Sequence, residues 1–147
     1  MGMLYADKPL TEKDLDQVEA KLGLRFPQQF REFYLLHNGG MPERRYFPFG
    51  GDYYSINQIY PIKYSKSGLT LEKTYGLFAD DEDFPIGWVP FAQDGGGDLY
   101  CICVAPDDFG RVYFYSMEWL DDPERERFLM ADDFGAFVDA LISHIPE

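Results

Sequence analysis

The sequence predicts an α+β fold: a mixed, mainly antiparallel sheet with an N-terminal helix pair and a C-terminal helix packed on it. Three observations carry that reading. Two segments with helical spacing open the chain, from Thr11 to Gly40. Short runs rich in β-branched and aromatic residues, separated by Gly and Asp turns, fill residues 88–115. A last apolar stripe at helical spacing follows Asp133. The 147 residues suit a single domain spanning 1–147, with no internal repeat, low-complexity tract or linker.

Thr11 is a good helix N-cap, and Asp14 three residues later makes a variant of the capping box. Leu15, Val18 and Leu22 then share one face, and Gly23 ends the helix. Glu19 lies near the same stripe and is expected at its solvated edge rather than buried. Pro27 suits the first turn of a second helix, where its missing N–H costs nothing. Phe30, Phe33, Tyr34 and His37 follow at overlapping helical positions, and Asn38-Gly39-Gly40 supplies the residues that tolerate positive φ. His37 falls in the last turn, where the helix dipole favours a cation. In the less regular middle, Tyr46–Phe49 and Ser55–Ile59 read as short strands around a Gly50-Gly51-Asp52 loop. The period of residues 69–78 does not decide between helix and strand. Trp88–Ala92 reads as a strand with an edge or bulge at Pro90. Leu99–Val104 and Arg111–Tyr115 complete an antiparallel meander. Asp132 or Asp133 caps the final helix, whose stripe is Phe134, Phe137, Val138, Leu141 and Ile145.

Composition excludes several function classes. Asp and Glu number 26 against 13 Lys and Arg, a formal net charge of -13. Phe, Tyr and Trp together also number 26, and Leu, Ile, Val and Phe make up 39 residues, so the chain has the apolar content to fold. The charge is uneven. Residues 1–77 hold 9 acids and 10 bases, whereas residues 78–147 hold 17 acids and 3 bases, a net of -14. That field repels phosphate backbones, so a nucleic-acid partner is not expected, and it speeds encounter with a basic one. Residues 1–20 carry Lys8, Glu12, Lys13 and Asp14 where a signal peptide would have its apolar core. No run reaches the ~18 apolar residues of a membrane span, so a cytoplasmic location without membrane association is expected.

The chemistry-bearing motifs favour bland readings. Cys101 and Cys103 share a strand face, and with His37 and His144 alone beside them a closed zinc site is not expected. Asp94-Gly95-Gly96-Gly97-Asp98 lacks the Lys-Ser or Lys-Thr of a phosphate loop and the pattern of a calcium loop, and reads as a hairpin turn. The pairs Asp107/Asp108, Asp121/Asp122 and Asp132/Asp133 sit in turns or at a helix start, where exposure and capping explain them without glycosidase chemistry. No catalytic, cofactor-binding or metal-ligating residue is assigned, and no cofactor is expected. The candidate partner-binding residues are Asp80, Asp81, Glu82 and Asp83, an acidic loop, together with Trp119, Asp121 and Asp122, an aromatic beside acids.

Two blocks carry a family resemblance. Glu19-(x)2-Leu22-Gly23, Phe26-Pro27-(x)2-Phe30-(x)2-Phe33 and Asn38-Gly39-Gly40 form the first. Val89-Pro90-Phe91-Ala92-(x)-Asp94-Gly95-Gly96-Gly97-Asp98-Leu99-Tyr100-Cys101, followed by Gly110-(x)-Val112-Tyr113-Phe114 and the helix after Asp133, form the second. Their order and spacing over residues 11–145 resemble the SUKH superfamily, which includes Smi/Knr-type regulators of fungal cell-wall glucan synthesis and many bacterial proteins. Residues 41–85 have no matching signature. The resemblance implies an α+β domain with helices packed on a mixed sheet. It implies a bacterial immunity protein that binds and neutralises a secreted toxin, often a nuclease; the short chain favours that branch. The expected function is therefore non-enzymatic binding of a protein partner, a basic toxin domain. The alternative is a regulatory scaffold that binds an endogenous protein, and a hydrolase using an acidic pair ranks behind both.

Overall fold

The computed structural model describes residues 2–117 and 127–147. A two-residue strand, β1 (Met3–Leu4), precedes the helix pair α1 (Glu12–Leu22) and α2 (Gln28–Leu36). Then come β2 (Met41–Pro42), β3 (Tyr46–Phe49), β4 (Asp52–Ser55), β5 (Gln58–Ile59) and helix α3 (Leu71–Ala79). The meander β6 (Trp88–Gln93), β7 (Leu99–Cys103), β8 (Val112–Tyr115) and β9 (Arg127–Ala131) follows, with a 3-10 turn at Pro106–Asp108, and α4 (Phe134–Ala140) closes the order. The main sheet runs β5-β6-β7-β8-β9, and every strand pairing among the described residues is antiparallel.

The helix pair forms for the reasons its sequence suggests. The Thr11 hydroxyl accepts from the Asp14 N–H at 3.2 Å and the Asp14 carboxylate accepts from the Thr11 N–H at 3.0 Å, closing the capping box. Gly23 ends α1 at φ 70°. Leu15, Val18, Phe30 and Tyr34 are buried and face the sheet across Phe91 and Phe134. Phe30 meets Phe134 at 5.0 Å and Phe91 at 5.8 Å between ring centroids, both edge to face, the geometry aromatic pairs prefer.

Glu19 is not at a solvated edge. Its carboxylate accepts from the Phe26 N–H at 2.7 Å and from Arg31 Nη1 at 2.5 Å, and only 16 % of its side chain is exposed. The α1–α2 turn leaves the Phe26 N–H facing back toward α1, and a carboxylate one turn from the end of α1 reaches it. Arg31 also meets Glu12 at 2.6 Å and Asp16 at 3.0 Å. His37 also differs from expectation. It lies at the end of α2 against Phe33, at 5.4 Å, and burial lowers its pKa rather than favouring the cation.

The middle segment makes one hairpin and then changes sheets. Gly50 and Gly51 take φ 60° and 86°, the two positive values a tight two-residue hairpin between β3 and β4 requires. The expected strand over Ser55–Ile59 is split. The Ile56 N–H still donates to Arg45 beside the hairpin, but the Asn57 N–H donates to Gln93 of the main sheet. Residues 71–79 are helical, with the Thr70 hydroxyl accepting from the Lys73 N–H at 3.2 Å. The bulge expected near Pro90 is present, as the β6–β7 register shifts between Pro90 and Ala92.

Asp94–Asp98 is the turn joining β6 to β7. One Asp94 carboxylate oxygen accepts from the N–H groups of Gly96 and Asp98, both at 2.9 Å. Burial raises the Asp94 pKa, and those N–H groups pull against it. The final helix is shorter than its stripe. It ends at Ala140 because Ile142 turns to pair with Tyr46, and Ile145 is exposed.

All five residues of β7 are buried, so the sheet is covered on both faces. Tyr100 and Ile102 point into the main core. Leu99 and Cys101 form a second, smaller core with Phe84 and Tyr115, flanked by Phe78 and Trp88. Cys101 and Cys103 are buried free thiols whose pKa values burial pushes up, which keeps them protonated and inert.

Candidate functional site

The second core positions the acidic loop. Helix α3 ends at Ala79, and Phe78 in its last turn packs on Phe84 with ring centroids 4.9 Å apart. Phe84 in turn meets Tyr115 at 4.9 Å, which fixes the chain on the sheet's second face. Between these two phenylalanines the chain has no large apolar side chain to bury, and Asp80, Asp81, Glu82 and Asp83 are all exposed. The loop is nonetheless ordered by its own bonds. The Asp81 N–H donates to the Phe78 carbonyl at 3.0 Å, the Phe84 N–H to the Asp81 carbonyl at 3.1 Å, and the Asp83 N–H to the Asp81 carboxylate at 2.9 Å.

A groove of about 410 Å³ runs beside this loop. Tyr75, Phe78, Phe84 and Trp88 line its apolar side, and Asp80, Asp81 and Glu82 line its charged side. None of the four loop carboxylates forms an ion pair among the described residues. The cation that touches the loop, Arg127, donates to the Asp83 backbone carbonyl at 3.2 Å. Trp119, Asp121 and Asp122 lie outside the described residues.

Among the described residues, Asp94, Asp98, Asp108 and Asp133 of the second half are engaged elsewhere. Asp94 and Asp98 sit at the opposite end of β7 from Asp107 and Asp108, and their carboxylates are held by backbone N–H groups, that of Asp98 by Met117 at 2.8 Å. Asp108 pairs with Arg111 at 3.1 Å. Asp133 caps α4 through the Ala136 N–H at 2.7 Å. A larger cleft of about 670 Å³ is lined by Asp16, Glu19, Arg31 and Phe109. Its carboxylates are already committed to Arg31, so the groove beside α3 is the stronger candidate. Among the described residues no group of three or more His, Cys, Asp or Glu side chains is placed to hold a metal ion, and no helix is long and apolar enough to cross a membrane.

Sequence reasoning missed Ile86. It lines the same groove and is 94 % exposed. The signal was present as an isoleucine between Pro85 and Gly87, a turn context that makes burial improbable.

Two helices entering an antiparallel meander, with a surface groove beside α3, define a small α+β domain. The chain belongs to the SMI1 / KNR4 family (SUKH-1), whose family model matches residues 9–140. No curated protein matches the chain. The family features lie on structural joints. Glu19 clasps the α1–α2 turn, Gly40 of Asn38-Gly39-Gly40 bridges to Ile59 of β5, and Asp94 closes the β6–β7 turn.

Proposed function

We propose that this protein is a non-enzymatic binding domain acting in the cytoplasm as an immunity protein, which neutralises a basic toxin domain by covering its active surface. The observation that carries this reading is the exposed run Asp80–Asp83, four acids in one ordered loop without an ion pair among the described residues. Asp14, Asp94, Asp98 and Asp133 are bonded to backbone N–H groups or a cation, whereas in this run only the Asp81 carboxylate accepts such a bond and all four acids face solvent. Such a surface draws in a cationic partner and partly imitates the charge of a nucleic acid, which suits a nuclease toxin. Trp119, Asp121 and Asp122 belong to the same proposal as partner-binding residues. Family membership supports a regulatory scaffold as well, and the choice turns on the partner.

The test is co-purification with the toxin encoded beside its gene, together with survival of cells that express that toxin. Stable binding and protection are expected. Absence of both, with binding instead to a protein of the cell's own growth machinery, gives the scaffold reading.

A further inference from the structure

We propose that the groove between the end of α3 and residues 84–88 docks a basic segment of the partner, which inserts one large apolar side chain flanked by lysine or arginine. This rests on the protein-binding reading above. Two features of the groove work together. The first is apolar. Tyr75, Phe78 and Trp88 line the groove without being fully buried, and Ile86 stands at its rim 94 % exposed. Ile86 is presented by a pinned turn. The Trp88 N–H donates to the Pro85 carbonyl at 3.3 Å, and the Val104 N–H donates to the Gly87 carbonyl at 2.8 Å. Gly87 takes φ 82°, and a Cβ there would lie 2.7 Å from the Ala105 Cβ. The turn therefore holds its place against β7 while Ile86 points to water, so little ordering entropy remains to be lost on docking.

An apolar groove alone would accept many occupants, and charge selects among them. Asp80, Asp81 and Glu82 line the same groove. The C-terminal end of α3 adds the negative end of its dipole at the same place. A second copy of this chain would bring like charge against like, in a molecule of net charge -13, and is disfavoured. A basic segment gains from both features. The acids accelerate encounter and set its salt dependence, and the apolar insertion slows release.

The test uses short fluorescein-labelled peptides read by anisotropy. One carries a leucine between arginines, and its counterpart carries glycine in place of the leucine. The leucine peptide is expected to bind about tenfold more tightly, the value of one largely buried aliphatic side chain. Ile86→Asp is expected to erase that difference. Leu77→Asp, at a residue 77 % exposed on the other flank of α3, is expected to leave it intact and serves as the control for folding. The combined Asp80→Asn, Asp81→Asn and Glu82→Gln variant should weaken both peptides alike and flatten their salt dependence. Equal binding of the two peptides, or a difference that survives Ile86→Asp, overturns the proposal. The toxin encoded beside the gene separates this from the broader reading. Binding of that toxin equally by wild type and Ile86→Asp overturns the groove assignment and keeps the immunity reading. No binding by wild type overturns the immunity reading, and the peptides then decide the groove.

Discussion

Asn38 joins the end of α2 to the segment before α1 and to the segment after β5. Its side-chain amide donates to the carbonyls of Lys8 at 2.8 Å and Ile62 at 3.0 Å, and its oxygen accepts from the Ile62 N–H at 2.7 Å. It is 2 % exposed, so no water replaces these bonds when the side chain is shortened. Asn38→Ala should cost about 2–4 kcal/mol, read as a lower urea midpoint with an unchanged slope. A pH effect arises at Asp14. The Lys63 ammonium, 2.6 Å away, holds its carboxyl well below the usual carboxylate range, with help from the Thr11 N–H. A carboxyl whose folded pKa is depressed contributes stability that is fully present above its unfolded value, near pH 4, and is lost as the pH falls toward the folded value. Asp14→Asn should therefore flatten the fall of stability below about pH 4, measured as urea midpoints across that range, while the wild type keeps a steep one. His37 works in the neutral range. Burial lowers its folded pKa, so the unfolded chain takes up the proton first, and stability falls as pH drops through about 6.5. His37→Gln should remove that slope between neutral and mildly acid pH.

At the scale of elements, the joints decide what the sequence made legible. Helices α1 and α4 carry their own caps, and all of α1, α2 and α4 carry their own apolar stripes, so local reasoning found them. Strands β6, β7 and β8 were legible for the same reason, as β7 between two polar turns has no helical reading, whereas β9, which pairs with β8, was not read from the sequence. Helix α3 was not legible because Thr74, Tyr75 and Gly76 are weak helix formers. Its start is fixed from outside, by the Thr70 cap and by the Leu71 N–H donating to the Pro61 carbonyl at 2.9 Å. The role of Glu19 was hidden because its partners, Phe26 and Arg31, meet it only after the chain turns. The acidic loop was legible as a run of acids, but the groove beside it requires Phe78, Phe84 and Trp88 to come together, which no local pattern reports. These joints make element-level predictions. Thr70→Ala should cost about 1 kcal/mol, the usual worth of an N-cap, and show first as faster amide exchange in α3. Gly87→Ala meets both an unfavourable φ and the Ala105 side chain. It should cost about 1–3 kcal/mol and displace Ile86, seen as altered amide shifts over residues 84–88 with the helix pair unchanged.

At the scale of the whole molecule, the charge is divided as the fold is divided. The near-neutral first half supplies the helix pair, whose carboxylates are largely spent on Arg31 and Lys63. The second half, with its net of -14, supplies four of the five strands of the main sheet, α4 and the acidic loop. Some of its acids close turns or cap a helix, and those contribute to stability. The Asp80–Asp83 run does neither apart from the single bond to Asp81, so its repulsion is a cost to the folded state. Salt should expose that cost. The screening length shrinks from about 30 Å at 0.01 M to about 10 Å at 0.1 M, so thermal stability should rise with added sodium chloride over that range. The variant Asp80→Asn, Asp81→Asn, Glu82→Gln and Asp83→Asn keeps an acceptor at position 81 for the Asp83 N–H bond while removing four charges. It should melt higher than wild type at low salt and gain less from added salt. A wild type whose melting temperature ignores salt, or a neutralised variant that melts lower, would show that these acids stabilise the fold and are not held in reserve for a partner.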